Sequence, residues 1–195
     1  MTNTKQEQIR KYLADADTRQ TAQVDTATGA HTIIDSDHRY IHEGKKFSAV
    51  VEQALARDET YKLSFISPSV VSGKYAHWRP ALISSSSSLL IVRLYENITS
   101  TDGTPVTSVN ANRISTTTAS TVVKKGVTAD VSAATPIAIF SVGSGGTPQS
   151  QAGGAVSADE EIVLKRDTEY IMEIEEPNVA ATTVYVHMKW YEEES

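Results

Sequence analysis

The stretch Val184-Tyr-Val-His-Met-Lys-Trp-Tyr191 places Val184, Val186, Met188 and Trp190 at every second position, with Tyr185, His187, Lys189 and Tyr191 between them. A period of two marks a strand with one face on a core and the other toward water. Working upstream, Tyr170, Met172 and Ile174 alternate with Glu169, Glu173 and Glu175, and Ile162–Leu164 is a shorter apolar run. Pro136 to Val142 carries Ile137-Ala-Ile-Phe140 at its centre, and Ser115 to Val123 is rich in β-branched Thr, which suits a pleated surface. Leu89 to Tyr95 is apolar on both faces, as a central strand requires, and Trp78 to Ser84 precedes it. Tyr61, Leu63 and Phe65 alternate with Lys62 and Ser64 until Pro68 ends the run.

Between these runs lie turn signals. The serines 84–88 read as a polar turn or a strand junction, Asp102-Gly103 with Pro105 as a tight turn, and Gly143 to Gly154, with five glycines, as a long loop. About eight strands without intervening helices predict a mainly β fold: an antiparallel β-sandwich or jelly roll over residues 46–195. Phe65, Leu94, Ile174, Val186, Met188 and Trp190 are its expected core anchors.

Residues 1–45 differ. From Lys5 to Ala16, Ile9, Tyr12 and Leu13 stand at i, i+3 and i+4 among charged residues, which predicts one short amphipathic helix. Three apolar side chains cannot hold so short a helix in water, so it must dock on its own domain or on another subunit. From Thr18 to Ser36 the chain is polar and reads as a connector. The expected organisation is an N-terminal arm, 1–45, followed by one sandwich domain, with Ile9, Arg10, Lys11, Tyr12, Leu13 and Arg19 as the arm's candidate contact residues.

The 195 residues include no cysteine, which excludes disulfides and thiolate zinc sites and leaves the compartment open. No segment is long and apolar enough to span a bilayer, and Met1 to Gln8 lacks the apolar stretch of a secretory signal, so Asn97-Ile98-Thr99 is not expected to be a used glycosylation sequon. Residues 1–160 carry 15 basic and 15 acidic side chains and residues 161–195 carry 3 and 9, so the net charge of −6 sits in the C-terminal stretch. Without a cluster of Lys and Arg, nucleic acid is not expected as a partner, nor is a membrane.

Catalytic patterns are sparse. His38 and His42 are spaced to share a helix or strand face, with Asp35, Asp37 or Glu43 as a possible third ligand, yet no HExxH is present and no metal is expected. Gly143-Ser-Gly-Gly146 has neither the spacing of a nucleophile elbow nor the Lys-Ser/Thr ending of a P-loop. Glu52, Glu96 and Glu173 could in principle pair as glycosidase carboxylates, but nothing selects a pair. The expectation is a protein that is not an enzyme and has no cofactor.

Several short motifs occur in an order of their own: His42-Glu-Gly-Lys-Lys-Phe47, Leu63-Ser-Phe-Ile-Ser-Pro68, Val92-Arg-Leu-Tyr-Glu96, Thr101-Asp-Gly-Thr-Pro105, Asn110-Ala-Asn-Arg113, Leu164-Lys-Arg-Asp-Thr-Glu-Tyr170 and Trp190-Tyr-Glu192. Over roughly residues 38–192 this order resembles the head decoration (cement) proteins of tailed bacteriophages. The resemblance implies a jelly-roll-like sandwich that binds the outer face of an icosahedral capsid and stabilises it, often as a homotrimer. It further implies the major capsid protein as partner, the virion as location, and the host cytoplasm during assembly. An arm that orders on binding, repeated by capsid symmetry, suits such a role. The alternative is a phage receptor- or carbohydrate-binding sandwich, with Trp78 and exposed Tyr residues as a stacking platform.

Overall fold

The computed structural model describes residues 23–24, 31–32, 36–85, 89–142, 153–154, 161–177 and 181–194. The chain divides into two compact units, Met1–Arg39 and Tyr40–Ser195. In the first, β1 (Gln23–Val24) pairs antiparallel with β2 (His31–Thr32). The helix expected over Lys5 to Ala16 lies outside the described residues. A seven-residue helix that the sequence pattern does not announce, α1 (Ser36–His42), spans the boundary between the units. It stops at Gly44, whose φ of +68° is the left-handed value a helix C-terminus favours; Gly44 N donates to Ile41 O at 3.0 Å and Lys45 N to Tyr40 O at 2.9 Å.

The second unit is an antiparallel β-sandwich, with two six-stranded sheets among the described residues. Its strands are β3 (Lys46–Leu55), β4 (Thr60–Ile66), β5 (Lys74–Ser85), β6 (Leu90–Glu96), β7 (Thr104–Val106), β8 (Val109–Asn110), β9 (Val122–Lys125), β10 (Ala138–Val142), β11 (Gly153–Gly154), β12 (Ile162–Val163), β13 (Glu169–Glu175) and β14 (Thr182–Glu194). The first sheet runs β11-β5-β14-β3-β8, with β12 also on β5, and the second runs β10-β6-β13-β4-β9-β7. Four of the twelve exceed the eight read from periodicity. β7, β8 and β11 have two or three residues each, too few to show a period, and β3 is blurred by Val50, 61% exposed on its outer face.

Alternation on β14 carries straight into packing. Val184, Val186, Met188 and Trp190 are all buried, and they meet Leu63, Phe65, Val92, Leu94, Tyr170, Met172 and Ile174 of the second sheet in one core. Trp190 ties the sheets together. In register it lies opposite Phe47 and Trp78 of its own sheet; its ring stacks on Phe47 at 6.0 Å and meets Phe65 of the other sheet edge-on at 5.3 Å. Phe65, Leu94, Ile174, Val186, Met188 and Trp190 all lie within this core.

Residues 115–121 are not the strand their Thr content suggests; the ladder begins only at Val122. Their backbone groups are taken by side chains instead. Thr117 N donates to Ser115 Oγ at 3.2 Å, Thr117 O accepts from Asn110 Nδ2 at 3.0 Å, and Ser120 N and Thr121 N both donate to the Glu192 carboxylate. Propensity describes a fit to a pleated surface, and it yields where side chains supply the hydrogen bonds a ladder would have made.

The outer face of the second sheet is covered locally. Tyr95 and Ile171 pack with Val127 and Ala129 in a second cluster flanked by Ile98, Val131 and Ala134. Lys62 Nζ pins this covering segment by donating to Ala129 O at 2.8 Å.

Because Trp190 joins both sheets and is 1% exposed, truncating it removes a large buried aromatic that the surroundings cannot refill. Trp190→Ala is expected to lower the unfolding free energy by about 3–5 kcal/mol in a urea titration. A midpoint unchanged from the parent chain would contradict the bridging role.

Candidate functional site

At the end of β14 three consecutive residues point in alternating directions and do three different things. Trp190 enters the core. Tyr191 turns outward yet is buried, because its ring is held between Tyr40 (4.0 Å between centroids, 14° between planes) and His77 (4.4 Å, 13°). His77 is its register partner on β5, while Tyr40 comes from the C-terminal half of α1. Arg79 lies over the same ring at 5.9 Å. Glu192 turns back inward and is 2% exposed. Its carboxylate accepts from Ser120 N at 2.9 Å, Thr121 N at 2.8 Å, Thr121 Oγ1 at 2.9 Å and, at 3.4 Å, Trp190 Nε1, with Lys74 Nζ at 3.5 Å.

Two carboxylates close the outer cluster. Glu161 faces His77 Nδ1 at 2.9 Å and accepts from Arg79 Nε at 3.3 Å and from the Tyr191 hydroxyl. Glu193 accepts from Tyr40 Oη at 2.6 Å and lies 3.7 Å from His77 Nε2. Burial pushes the Tyr191 hydroxyl far above its ordinary range and the neighbouring Glu161 pushes it further, so it stays protonated and donates a hydrogen bond to Glu161. Burial alone raises the Glu161 carboxyl, but hydrogen bonds from Tyr191 and His77 outweigh it and hold the group below its ordinary value. Both ring nitrogens of His77 face carboxylates, an arrangement that clamps the start of the domain at Tyr40 and the segment beginning at Glu161 onto the end of β14.

A second polar joint lies where β13 begins. Glu169 accepts from Ser64 Oγ, from Ser100 Oγ and from Ser100 N at 3.0 Å. Burial raises its carboxyl, and the bonds from Ser100 and Ser64 more than reverse that. Glu96 is held low first by Lys165 Nζ, at 2.5 Å, and also by Tyr170 Oη, at 3.1 Å. Ser67 Oγ donates to Lys165 O and Thr168 O, and Asn110 Nδ2 and Asn112 Nδ2 reach Gly44 O and His42 O at 2.8 and 3.1 Å.

The arm residues Ile9, Arg10, Lys11, Tyr12, Leu13 and Arg19 lie outside the described residues. Of the glycosidase candidates, Glu52 stands on the first sheet, whereas Glu96 and Glu173 stand on the second, each engaged by cations: Glu96 by Lys165, and Glu173 by Lys62 and Arg93, both at 3.4 Å. His38 and His42 do share α1, and Glu43 pairs with Lys45 at 2.9 Å. Among the described residues no three His, Cys, Asp or Glu side chains converge as a metal set. Trp78 is buried in the core, which removes it from any exposed stacking platform. Tyr40, His77 and Glu161 escaped the sequence reading because they come from three distant segments with no local pattern.

Two outcomes follow from these joints. Glu192→Gln keeps the size but turns an amide NH₂ group or a weaker acceptor toward buried N–H donors, so a loss of about 1–3 kcal/mol is expected by urea denaturation, with faster proteolysis within residues 111–121. Unchanged stability would mean that Glu192 does not organise that segment. The carboxyls of Glu96, Glu161 and Glu169 are lower in the folded chain than their ordinary value of 4.5. Their stabilisation is therefore complete above about pH 4.5 and is lost as pH falls through the lower folded values. Melting temperatures measured from pH 7 to pH 3 should hold level and then drop, and the drop should be shallower in Glu169→Gln.

Comparison with family models, with curated proteins and with solved structures returned no match to this chain.

Proposed function

We propose that this chain is a structural protein of a tailed-phage particle, binding the outer surface of the capsid and stabilising it. The observation that carries the reading is the placement of the motifs that resemble the decoration proteins. Gly44, Ser67, Glu96, Asn110, Glu169, Tyr170 and Glu192 each sit at a joint of one sandwich. Residues that hold a shared architecture together are the ones a distant relative would keep in order. The buried position of Trp78 takes away the aromatic on which a sugar- or receptor-binding reading leaned most.

In this role the partner is the major capsid protein and the active form is a homo-oligomer, a trimer by the same resemblance. The arm, with Arg10 and Lys11 beside Ile9, Tyr12 and Leu13, adds contact at the shell. A ligand that binds only the assembled shell raises its stability by mass action.

Purified protein added to undecorated heads of its own phage should co-sediment with them, saturate at a fixed copy number, and raise their resistance to heat. A chain lacking residues 1–37 should fold with a cooperative transition but bind less well. Charge reversal at Arg10 and Lys11 should weaken binding more than reversal at Glu194. Absence of retention on heads at micromolar protein, with sedimentation on host envelopes instead, would sink this function and favour receptor binding.

A further inference from the structure

Thr101 to Val106 runs antiparallel to Val123 to Thr128, and Asp102-Gly103 interrupts this pairing instead of closing a tight turn. On one side of the break Thr101 N donates to Thr128 O at 2.9 Å, and Thr128 N returns the bond to Thr101 O at 3.1 Å. On the other side Thr104 and Val106 lie opposite Lys125 and Val123. By the same register Gly126 and Val127 stand across from Asp102-Gly103, yet both turn their N–H groups away to Lys62 O, at 3.0 and 3.3 Å. Asp102 and Gly103 follow the kink with φ of +59° and +85°, values that Asp tolerates and Gly takes freely.

The break leaves a reactive pair of groups side by side. Asp102 is exposed, and among the described residues no hydrogen bond engages Gly103 N. Gly103 also has no side chain to crowd an approach to its own nitrogen. An amide nitrogen that follows an aspartate can attack that aspartate's Cγ and close a five-membered ring. A ladder bond to the nitrogen, or a bulky residue carrying it, opposes the attack, and Gly103 presents neither obstacle.

We infer that Asp102-Gly103 is a modification site, at which the folded chain converts slowly and without an enzyme to the isoaspartyl form. The Gly103 nitrogen bonds to Asp102 Cγ and gives up its proton; one carboxyl oxygen leaves as water with that proton and the carboxyl's own. Water then opens the ring at either carbonyl. Opening at Cγ restores aspartate, whereas opening at the main-chain carbonyl leaves that carbon as a free carboxylate and routes the chain through Cγ. Nothing is oxidised or reduced, and the mass is unchanged. The lengthened backbone has little room to settle, since a Cβ on Gly103 would already lie 2.5 Å from Val127 Cγ1 and 3.2 Å from Lys125 O. Val127 belongs to the cluster that covers Tyr95 and Ile171. Displacing it loosens that cover, while the core between the sheets stays closed.

The test ages the full chain in neutral buffer and maps its peptides by electron-transfer fragmentation, which tells isoaspartate from aspartate. Isoaspartate at residue 102 should accumulate in the folded chain at a rate within a few-fold of that in urea. Asp102→Asn closes the same ring with ammonia as the leaving group and should convert several-fold faster. Asp102→Gly, which suits the positive φ, should not convert at all. After ageing, the amides from Val127 to Ala134 should exchange faster with deuterium in the parent but not in Asp102→Gly. Residue 102 remaining aspartate in the folded chain, and converting only in urea, would overturn the site. Isoaspartate without faster exchange from Val127 to Ala134 would overturn its effect on the cover.

Discussion

Strand β14 is hydrogen-bonded along both edges, to β3 over Lys46–Leu55 and to β5 over Lys74–Ser85. A strand held on both sides cannot slide, because a shift of one residue would turn Val184, Val186, Met188 and Trp190 out of the core and put Tyr185, His187 and Lys189 into it. The single irregularity, a register shift against β5 between His187 and Lys189, leaves the pairing with β3 continuous. Everything at the end of the sandwich inherits this register. Tyr191 can reach Tyr40 and His77, and Glu192 can reach Ser120 and Thr121, only because Trp190 is fixed between Phe47 and Phe65.

How much was legible in the sequence follows from how local the deciding interaction is. On β14 the alternation from Thr182 to Trp190 survives in the burial, and on β4 and β13 the core-facing residues keep it although Ser64 and Ile171 are buried on the other face, so the strands and the core anchors could be read directly. On β3 the inward positions include the small Ala49 and the outward ones include Val50, and the contrast disappears. Residues 115–121 mislead for the opposite reason. Their composition is β-prone, but their backbone donors answer to Glu192, about seventy residues further along the chain. The cluster of Tyr40, His77, Glu161 and Glu193 is assembled from four segments and carries no signature in any one of them.

The motifs that carry the family resemblance divide into fold and surface, and almost all belong to the fold. Glu169 gathers two serines from neighbouring segments, Glu96 answers Lys165 and Tyr170, and Asn110 and Asn112 tie their loop to the chain entry. Such residues are constrained by geometry, so the order in which the motifs occur follows the architecture that they hold together.

The central strand of the first sheet is also the last of the described strands in chain order. β3 and β5 do not pair with each other; each meets β14, so the sheet stays open until that strand, distant from both in sequence, is inserted between them. Until then the apolar sides of β3 and β5 have no strand between them, and the interval favours association with chaperones or with other nascent chains. Loss of even the final dozen residues would remove the middle of a sheet rather than its margin, leaving two half-paired strands where an intact sandwich should be.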